Sequence, residues 1–347
     1  MNKYCIALIL LLFPVMANAL SEEVDVDGIC YILDTSAKTA KVKGLSKSNN
    51  NVDIIVPESL ALGGNMYKVL SIGDYAFYDQ SQLLSLSIPK TVNKIGSHAF
   101  YGCSGLTSFI IPENIKAISS WAFTLCTSLT QIEIPDNVIE IREGAFSGCS
   151  GLTSIVIPNS VSSIGNAVFS DCCSLTSISL SDKISTIGDY TFSNCTSLAS
   201  FVIPSTVTSI GNYAFARCEG ISSIVIPHSV KSVGSLAFSG CVNLRDVYCY
   251  SGIVPSTGKD AFKDSNVEFA TLHVYSTSIE AYKEADQWRN FGSIISFTSD
   301  EVSVKGIIDD KNKEQKLFFI DGRRVNKLGK GLFILYNNGI IKKVLNK

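Results

Sequence analysis

The stretch GCSGLTSIVIPNSVSSIGNAVFS, at residues 148–170 of the 347-residue chain, decides the fold because the chain repeats it with small changes. Its last Phe recurs every 23 residues and once more after 24 residues, at Phe77, Phe100, Phe123, Phe146, Phe169, Phe192, Phe215, Phe238 and Phe262. A Cys follows three residues behind most of these Phe residues, at Cys103, Cys126, Cys149, Cys172, Cys195, Cys218 and Cys241. A fixed period in the low twenties indicates a solenoid, in which each repeat stacks on its neighbours.

The apolar residues of the repeat predict one short strand. Ile155 and Ile157 alternate with Ser154 and Val156, so the two Ile side chains face inward and the other two face outward. A strand this short buries too little apolar surface alone, so it needs a repeat above and below it. Residues 67–250 therefore predict a parallel sheet with one strand per repeat and rungs about 4.8 Å apart.

Proline and glycine mark the turns of the repeat. Pro158, which recurs in most units, removes a ladder donor where the chain leaves the strand. Gly165 also recurs in most units, and we expect a tight turn there with positive φ. Ser119 and Arg142 fill the same position in two repeats, so glycine is not strictly required.

The N-terminus has the pattern of a secretory signal peptide. Residues 1–19 contain one Lys, an apolar run and the cleavage pattern Ala17-Asn18-Ala19. The run is too short to span a membrane. We therefore expect the mature chain to begin near Leu20, outside the cytoplasm and without a transmembrane span.

The charge distribution gives no nucleic-acid surface. The whole chain has a net charge of -2, with 46% hydrophobic and 17% charged residues, which fits a large buried core. The last 47 residues, 301–347, carry eleven Lys and Arg against five Asp and Glu. The positive charge is spread along this tail without a recognised reader motif, so we expect no nucleic-acid partner.

Ten cysteines remain after removal of the signal peptide, which contains Cys5. Equivalent positions on adjacent rungs have Cα atoms about 4.8 Å apart, a separation that permits a disulfide. However, seven members of one column cannot all pair, and in-register side chains do not give the torsion of about 90° that an S–S bond needs. The sequence favours buried free thiols, with disulfides as the alternative.

The 23-residue period is absent at both ends of the chain. Residues 20–66 predict a β-rich N-terminal cap, with Gly63, Gly64 and Asn65 in a loop or hairpin turn. Residues 251–300 predict the last repeat and a C-terminal cap made of a strand and a helix at 278–288. We expect Ile279, Tyr282, Trp288 and Phe291 to cover the last rung, and Ser276, Thr277 or Ser278 to cap the helix.

The C-terminal region follows a polar linker at residues 300–311. Beyond it, apolar and polar residues alternate around the turn dipeptides Asp321-Gly322 and Asn338-Gly339. Two such dipeptides between strands predict a small antiparallel β domain at residues 301–347.

Candidate catalytic residues are few. His98 and His228 fall in loop positions that accept any polar residue, and none of the three His residues has the spacing of a metal site or a catalytic base. Asp25-Val26-Asp27-Gly28 lacks the later acidic ligands of a calcium loop, so a strand turn is the better interpretation. Phosphate loops, nucleophile elbows and zinc motifs are missing. We expect no enzyme activity, cofactor or metal.

The columns of IP, IG, AF and C resemble the BspA-like leucine-rich repeat over roughly residues 67–262. The resemblance implies a curved right-handed leucine-rich-repeat solenoid on a secreted or surface-exposed bacterial protein, with adhesion to host matrix proteins or other bacteria as the usual assigned role. The tail IDGRRVNKLGKGLFILYNNGIIKKVLNK is similar to the C-terminal sorting domains of type IX secretion in Gram-negative bacteria. That resemblance implies export and attachment at the outer membrane.

One outward side chain per strand is left to carry recognition. From these outward positions the sequence predicts the ligand-binding residues Ile110, Glu133, Val156, Val202, Val225 and Tyr248. Solenoids bind partners through such extended faces, and an apolar patch with a polar rim often marks a contact site. We therefore expect a non-enzymatic cell-surface protein that binds a protein or a glycan. The alternatives are that β-branched residues only stabilise the strands, and that the chain is a structural spacer or assembles with itself.

Overall fold

The solenoid predicted from the repeat forms the body of the structure, a computed structural model that describes residues 21–47, 49–199 and 201–297 and four strands between residues 316 and 346. The body has about 10 turns with a spacing of about 23 residues, parallel strands and few helices. The signal peptide predicted at residues 1–19 and the linker predicted at 300–311 lie outside the described residues.

The predicted strand of the repeat is confirmed, with its alternation of burial. In Ser154–Val156, Ile155 is buried while Ser154 and Val156 are exposed. Its parallel partner is Ser177–Ser179, one repeat further along the chain. We call the outward surface of this set of strands the strand face; the set consists of Asp53–Ile55, Ser85–Ser87, Ser108–Ile110, Gln131–Glu133, Ser154–Val156, Ser177–Ser179, Ser223–Ile226, Asp246–Cys249, Thr271–Val274 and Ser293–Ser296.

Each repeat also contains a second strand, which the sequence analysis missed. These strands have two residues each and pair in parallel, at Lys94–Ile95, Ala117–Ile118, Glu140–Ile141, Ser163–Ile164, Thr186–Ile187, Ser209–Ile210, Ser232–Val233 and Ser256–Thr257. A two-residue strand has no alternation that a sequence could reveal. The prediction of one strand per repeat is therefore corrected to two.

The Phe column fills the interior between turns. Its side chains from Phe77 to Phe238 are fully buried, and Phe262 is 4% exposed. Neighbouring rings stack with centroids 5.1–5.8 Å apart and with nearly parallel planes. Offset stacking of this kind adds to the stabilisation that burial provides.

The Cys column lies beside the Phe column as buried free thiols. Each column thiol donates a hydrogen bond to the Phe carbonyl of the preceding repeat; for example, Cys149 Sγ lies 3.1 Å from Phe123 O. Burial raises the pKa of the Cys103 and Cys241 thiols to about 12, so both stay protonated and able to donate. After the last Cys, Ser265 takes the same role by donating its hydroxyl to the Phe238 carbonyl.

The glycine after the second strand serves a different purpose from the predicted one. Gly165 and its equivalents do not have positive φ. A Cβ on Gly165 would lie 2.6 Å from the backbone N of Glu143 in the preceding repeat. Glycine is favoured there because two turns of backbone approach closely, and the expectation of a positive φ was wrong.

Positive φ occurs instead at two positions around every Phe of the column. In the repeat of Phe169 these are Ala167 (φ 54°) and Asp171 (φ 61°), two residues before and two residues after the ring. The N–H groups of Ala167, Phe169 and Asp171 donate to carbonyls of the next repeat at 2.8, 2.9 and 2.8 Å. We call this five-residue segment the Phe turn. Alternating right- and left-handed residues aim these N–H groups in one direction.

The N-terminal region forms a sheet in the strand order Ser21–Val26, Ile29–Asp34, Thr39–Leu45, Asn65–Ile72 and Ser59–Leu62. The last two strands form the expected hairpin, whose turn contains Gly63 and Gly64 with positive φ. Asn65–Ile72 also pairs in parallel with Lys94–Ile95. The N-terminal sheet thus includes the first of the second strands, and the later ones form separate sheets.

The C-terminal end of the solenoid contains shorter helices than predicted. The segment predicted as one helix at 278–288 consists of the 3-10 turn Ser276–Ser278, the α-helix Ile279–Glu284 and the 3-10 turn Trp288–Asn290. The α-helix ends because Gln287 adopts φ 65° and Ala285 is extended. Another 3-10 turn, Val267–Phe269, precedes the strand Thr271–Val274.

The aromatic side chains expected to cover the last rung do so. Tyr282 and Trp288 are fully buried, and Phe291 is 6% exposed. The rings of Trp288 and Phe291 both lie 5.2 Å from the ring of Phe262. Ser278 is the N-cap residue, but its hydroxyl donates to Gly252 O instead of capping the helix.

The tail contains antiparallel strands, as its alternation predicted. Their order in the sheet is Arg324–Val325, Lys316–Phe319, Gly331–Asn337 and Ile340–Asn346. The turn dipeptides that guided the prediction, Asp321-Gly322 and Asn338-Gly339, lie outside the described residues.

Removing one ring of the Phe column should destabilise the solenoid strongly. We expect Phe169→Ala to lower the free energy of unfolding by about 3–5 kcal/mol, because it opens a cavity between two stacked rings. The matched control is Phe269→Ala, since Phe269 is 77% exposed. Urea unfolding followed by circular dichroism measures both variants. Equal stability of the two variants would contradict the buried column.

The thiols should be free but unreactive in the folded chain. We expect all ten described cysteines to react with a maleimide after unfolding in guanidinium without reductant. In the native protein, the seven column thiols should be protected because they are buried and their raised pKa suppresses the reactive thiolate. Intact-mass counting measures the label. A count near zero after unfolding would show disulfides instead.

Candidate binding face

The strand face presents one column of outward side chains along the whole solenoid. Its members are Ile55, Ser87, Ile110, Glu133, Val156, Ser179, Val202, Val225, Tyr248, His273 and Ile295. Strand register pairs them in four groups, 55 with 87, 110 with 133, 156 with 179, and 202 through 225, 248 and 273 to 295. Ile55, His273 and Ile295 were missed because they lie in the terminal segments, where the 23-residue period fails. The face is therefore longer than the repeat region suggests.

The six predicted site residues differ in their exposure. Ile110 is 86% exposed, Val156 is 45% exposed and Glu133 is also exposed. Val202 and Tyr248 are half-buried.

Val225 is only 7% exposed, so the expectation that it faces solvent was wrong. It lies between Val202 on one rung and Tyr248 on the next, and these larger or equal side chains cover it. Ser179 is buried to a similar extent. The accessible part of the face is thus concentrated towards the N-terminal half of the solenoid.

Three grooves open in this N-terminal half. A groove of about 570 Å³ runs over Gln131–Glu133 and Ser154–Val156, and one of about 510 Å³ runs over residues 86–90 and 110–114. A third, of about 350 Å³, connects residues 109–113 with residues 133–137. Among these described strands, pairing joins Ser108–Ile110 to Gln131–Glu133 but does not extend to Ser85–Ser87 or Ser154–Val156. The two larger grooves lie at these breaks in pairing.

In the C-terminal half of the face, His273 contacts both Asp246 and Tyr248. His273 Nε2 lies 2.9 Å from Asp246 Oδ1, and the imidazole stacks on the Tyr248 ring with centroids 4.3 Å apart. His273 is 7% exposed. The contact fixes Tyr248 against the sheet, so this predicted site residue is held in place by a neighbour that the sequence analysis had not paired with it.

A second surface feature, also missed, is a group of stacked rings at the first three Phe turns. This turn aromatic cluster consists of Tyr75, Tyr78, His98, Tyr101 and Trp121. The ring of His98 stacks on that of Tyr75 at 4.7 Å and on that of Trp121 at 6.4 Å. Tyr75, His98 and Trp121 all adopt positive φ at the first position of the Phe turn.

His98 lies at the centre of this cluster. It lies in a loop, as expected, but it is half-buried, and its Nδ1 has no hydrogen-bond partner among the described residues. The indole of Trp121 also lies against Gly144, where an added Cβ would be 2.1 Å from Trp121 Cε3. Stacking within the cluster therefore compensates for backbone strain, a role that needs no ligand.

The repeat region matches a known family model. Residues 70–174 and 163–283 match the BspA type leucine rich repeat region in six copies, which together span more than half of the chain. The chain belongs to the BspA-type leucine-rich repeat family.

Solved structures share the fold of this BspA-type chain. A leucine-rich repeat protein from Bacteroides ovatus is similar with a TM-score of 0.62 and 25% identity, covering 79% of this chain and 76% of that one. A leucine rich cell surface protein from Faecalibacterium prausnitzii is similar with a TM-score of 0.55 and 23% identity, covering 80% of this chain and 95% of that one. No curated protein matches this BspA-type chain in sequence.

The part of the BspA-type chain that the structure describes contains neither a metal-ligating cluster nor a membrane-spanning helix. Within residues 21–47, 49–199 and 201–297 and the tail strands, no group of three or more His, Cys, Asp or Glu side chains is arranged to hold a metal ion. The helices of the same residues are too short and too polar to cross a bilayer.

Proposed function

We propose that this chain is an exported, non-enzymatic cell-surface protein that binds a partner through the strand face. The observation that carries the proposal is the exposure of Ile110 and Val156, which line grooves of the strand face. The residues that hold the fold have no such freedom, because the Phe and Cys columns are buried. Exposed apolar side chains in a grooved surface with a polar rim are typical of a contact site.

Three considerations support a surface location. Residues 1–19 carry the signal-peptide pattern, and BspA-type repeats are typical of bacterial surface proteins. The tail at 301–347 resembles a type IX sorting domain, so we include attachment at the outer membrane of a Gram-negative cell in the proposal. The partner is a host matrix protein, another cell-surface protein or a glycan.

We propose a non-enzymatic role because the part of the chain that the structure describes offers no activated nucleophile. The column thiols, which are the most nucleophilic type of side chain in the repeats, are buried and have raised pKa values. A thiol reacts as its thiolate, so these groups are unreactive at neutral pH. The sequence also lacks the motifs that place a nucleophile beside a base.

Adding positive charge to the accessible part of the face should abolish binding without unfolding the chain. We expect Ile110→Lys with Val156→Lys to reduce retention on immobilised host matrix proteins, intact bacteria or a glycan array at least about tenfold, because both side chains lie at the centre of the contact. Val225 is left unchanged because it is buried. Surface plasmon resonance and array fluorescence measure the retention.

The matched control carries Ile139→Lys with Ile253→Lys. These side chains are 54% and 86% exposed and lie outside the strand face, so binding should persist. Equal melting temperatures of the two variants would show that the fold is intact. If both variants bind like the native chain, the strand face is not the binding surface. Binding by neither the native chain nor its variants, together with a stable self-assembly in light scattering, would favour the spacer role instead.

A further inference from the structure

The accessible part of the strand face carries carboxylates around its most exposed apolar residue. Glu133 lies directly beside Ile110 on the neighbouring rung, because the two residues are register partners. Glu113 and Asp136 line the same 350 Å³ groove as Ile110 and Glu133. We call this surface, formed by Ile110, Glu113, Glu133 and Asp136, the acidic groove.

The three carboxylates have no partner among the described residues. Glu113, Glu133 and Asp136 are exposed, and in the described part of the chain their side chains make no hydrogen bond or ion pair. Asp182, at the equivalent position two repeats after Asp136, is different because it accepts a hydrogen bond from Asn159. Among the described residues, Lys90 is the only cationic side chain that lines one of the three grooves. Lys116 reaches the edge of the 350 Å³ groove, where its Nζ lies 3.3 Å from Asn137 Oδ1.

The arrangement is electrostatically unfavourable in the free protein. Glu113 and Asp136 occupy equivalent turn positions 23 residues apart, so they lie on consecutive turns of the solenoid and line one groove. Like charges held close to one another repel. Glu133 adds a third negative charge to the same groove. A cationic ligand would relieve this repulsion while its apolar part covers Ile110.

The lining of the groove favours a polypeptide over a sugar. The acidic groove offers a branched aliphatic side chain and carboxylates, and the one aromatic residue among its lining, Phe109, is 4% exposed. The apolar face of a sugar ring would find no exposed aromatic ring to stack on there. Lys and Arg side chains fit better, because they combine an aliphatic stem with a cationic end.

On the basis of the proposed function, we propose that the acidic groove binds a basic polypeptide segment whose cationic side chains flank an apolar one. The apolar side chain covers Ile110, and the cationic ends reach Glu113, Glu133 and Asp136. Such a contact gains specificity from charge complementarity, and its affinity falls as salt screens the charges.

A displayed library of random twelve-residue peptides, selected on the full-length protein, tests the proposal. We expect the selected peptides to be enriched in Lys or Arg next to Leu, Ile, Val or Phe. A variant with Glu113→Gln, Glu133→Gln and Asp136→Asn should bind these peptides at least about tenfold more weakly. The melting temperature of this triple variant should equal or exceed that of the native chain, because the repulsion between the carboxylates is removed. Raising the salt from about 0.05 M to about 0.5 M should weaken peptide binding to the native chain.

The matched control changes the net charge equally at exposed carboxylates outside the groove, with Glu219→Gln, Glu268→Gln and Glu284→Gln. It should keep its affinity within about twofold. Selected peptides without cationic residues, or equal binding to both triple variants, would overturn the proposal. So would binding of neutral oligosaccharides alone on a glycan array.

The outcomes separate this proposal from the proposed function. If the Ile110→Lys, Val156→Lys variant loses its partner while the groove triple variant keeps it, the strand face binds but its partner is not basic. If neither variant changes binding, both proposals are wrong.

Discussion

The hydrogen bonds that join each Phe turn to the next repeat are the constraint on which the structure depends. In the turn of Phe169, three N–H groups donate across the gap between repeats, and this requires Ala167 and Asp171 to adopt positive φ. Left-handed backbone costs roughly 1–2 kcal/mol for such residues. Two contacts of Phe169 offset that strain. Its ring stacks on the neighbouring rings, and its carbonyl accepts a hydrogen bond from the Cys195 thiol. Repeats kept in this register then bring the strands of the opposite side together.

The strand face is free to vary because other residues hold the repeats in register. The Phe and Cys columns hold the register, so an outward position accepts Ile110, Glu133 or Val156 without loss of the core. The turn aromatic cluster belongs to the same scaffold, because its rings lie over strained Phe turns. Recognition therefore depends on a surface whose chemistry changes from rung to rung. Its N-terminal half is apolar and acidic, and in its C-terminal half Val225 is buried and Tyr248 is half-buried.

The period of the Phe residues predicted the solenoid, its strands and the buried thiols, since these follow from residue type at a fixed spacing. The second strands were not predictable, because two residues show no alternation. The positive φ around each Phe was not predictable either, because those positions hold residue types as different as Tyr, Trp, Leu, Asp and Gly. Of the candidate site, the outward direction of Ile110 and Val156 followed from alternation alone. The burial of Val225 did not, because it depends on the neighbouring side chains of Val202 and Tyr248.

The central claim is that the fold and recognition use different sets of residues, and a charge scan of the whole chain measures this directly. Each position would be replaced by Lys in a displayed library, sorted in parallel for folding, with a conformation-sensitive antibody, and for binding to a captured partner. Substitutions that lose binding but keep folding should cluster at outward positions of the strand face between Ser85–Ser87 and Ser154–Val156. Clustering of these substitutions at the turn aromatic cluster or in the tail at 301–347 would contradict the account.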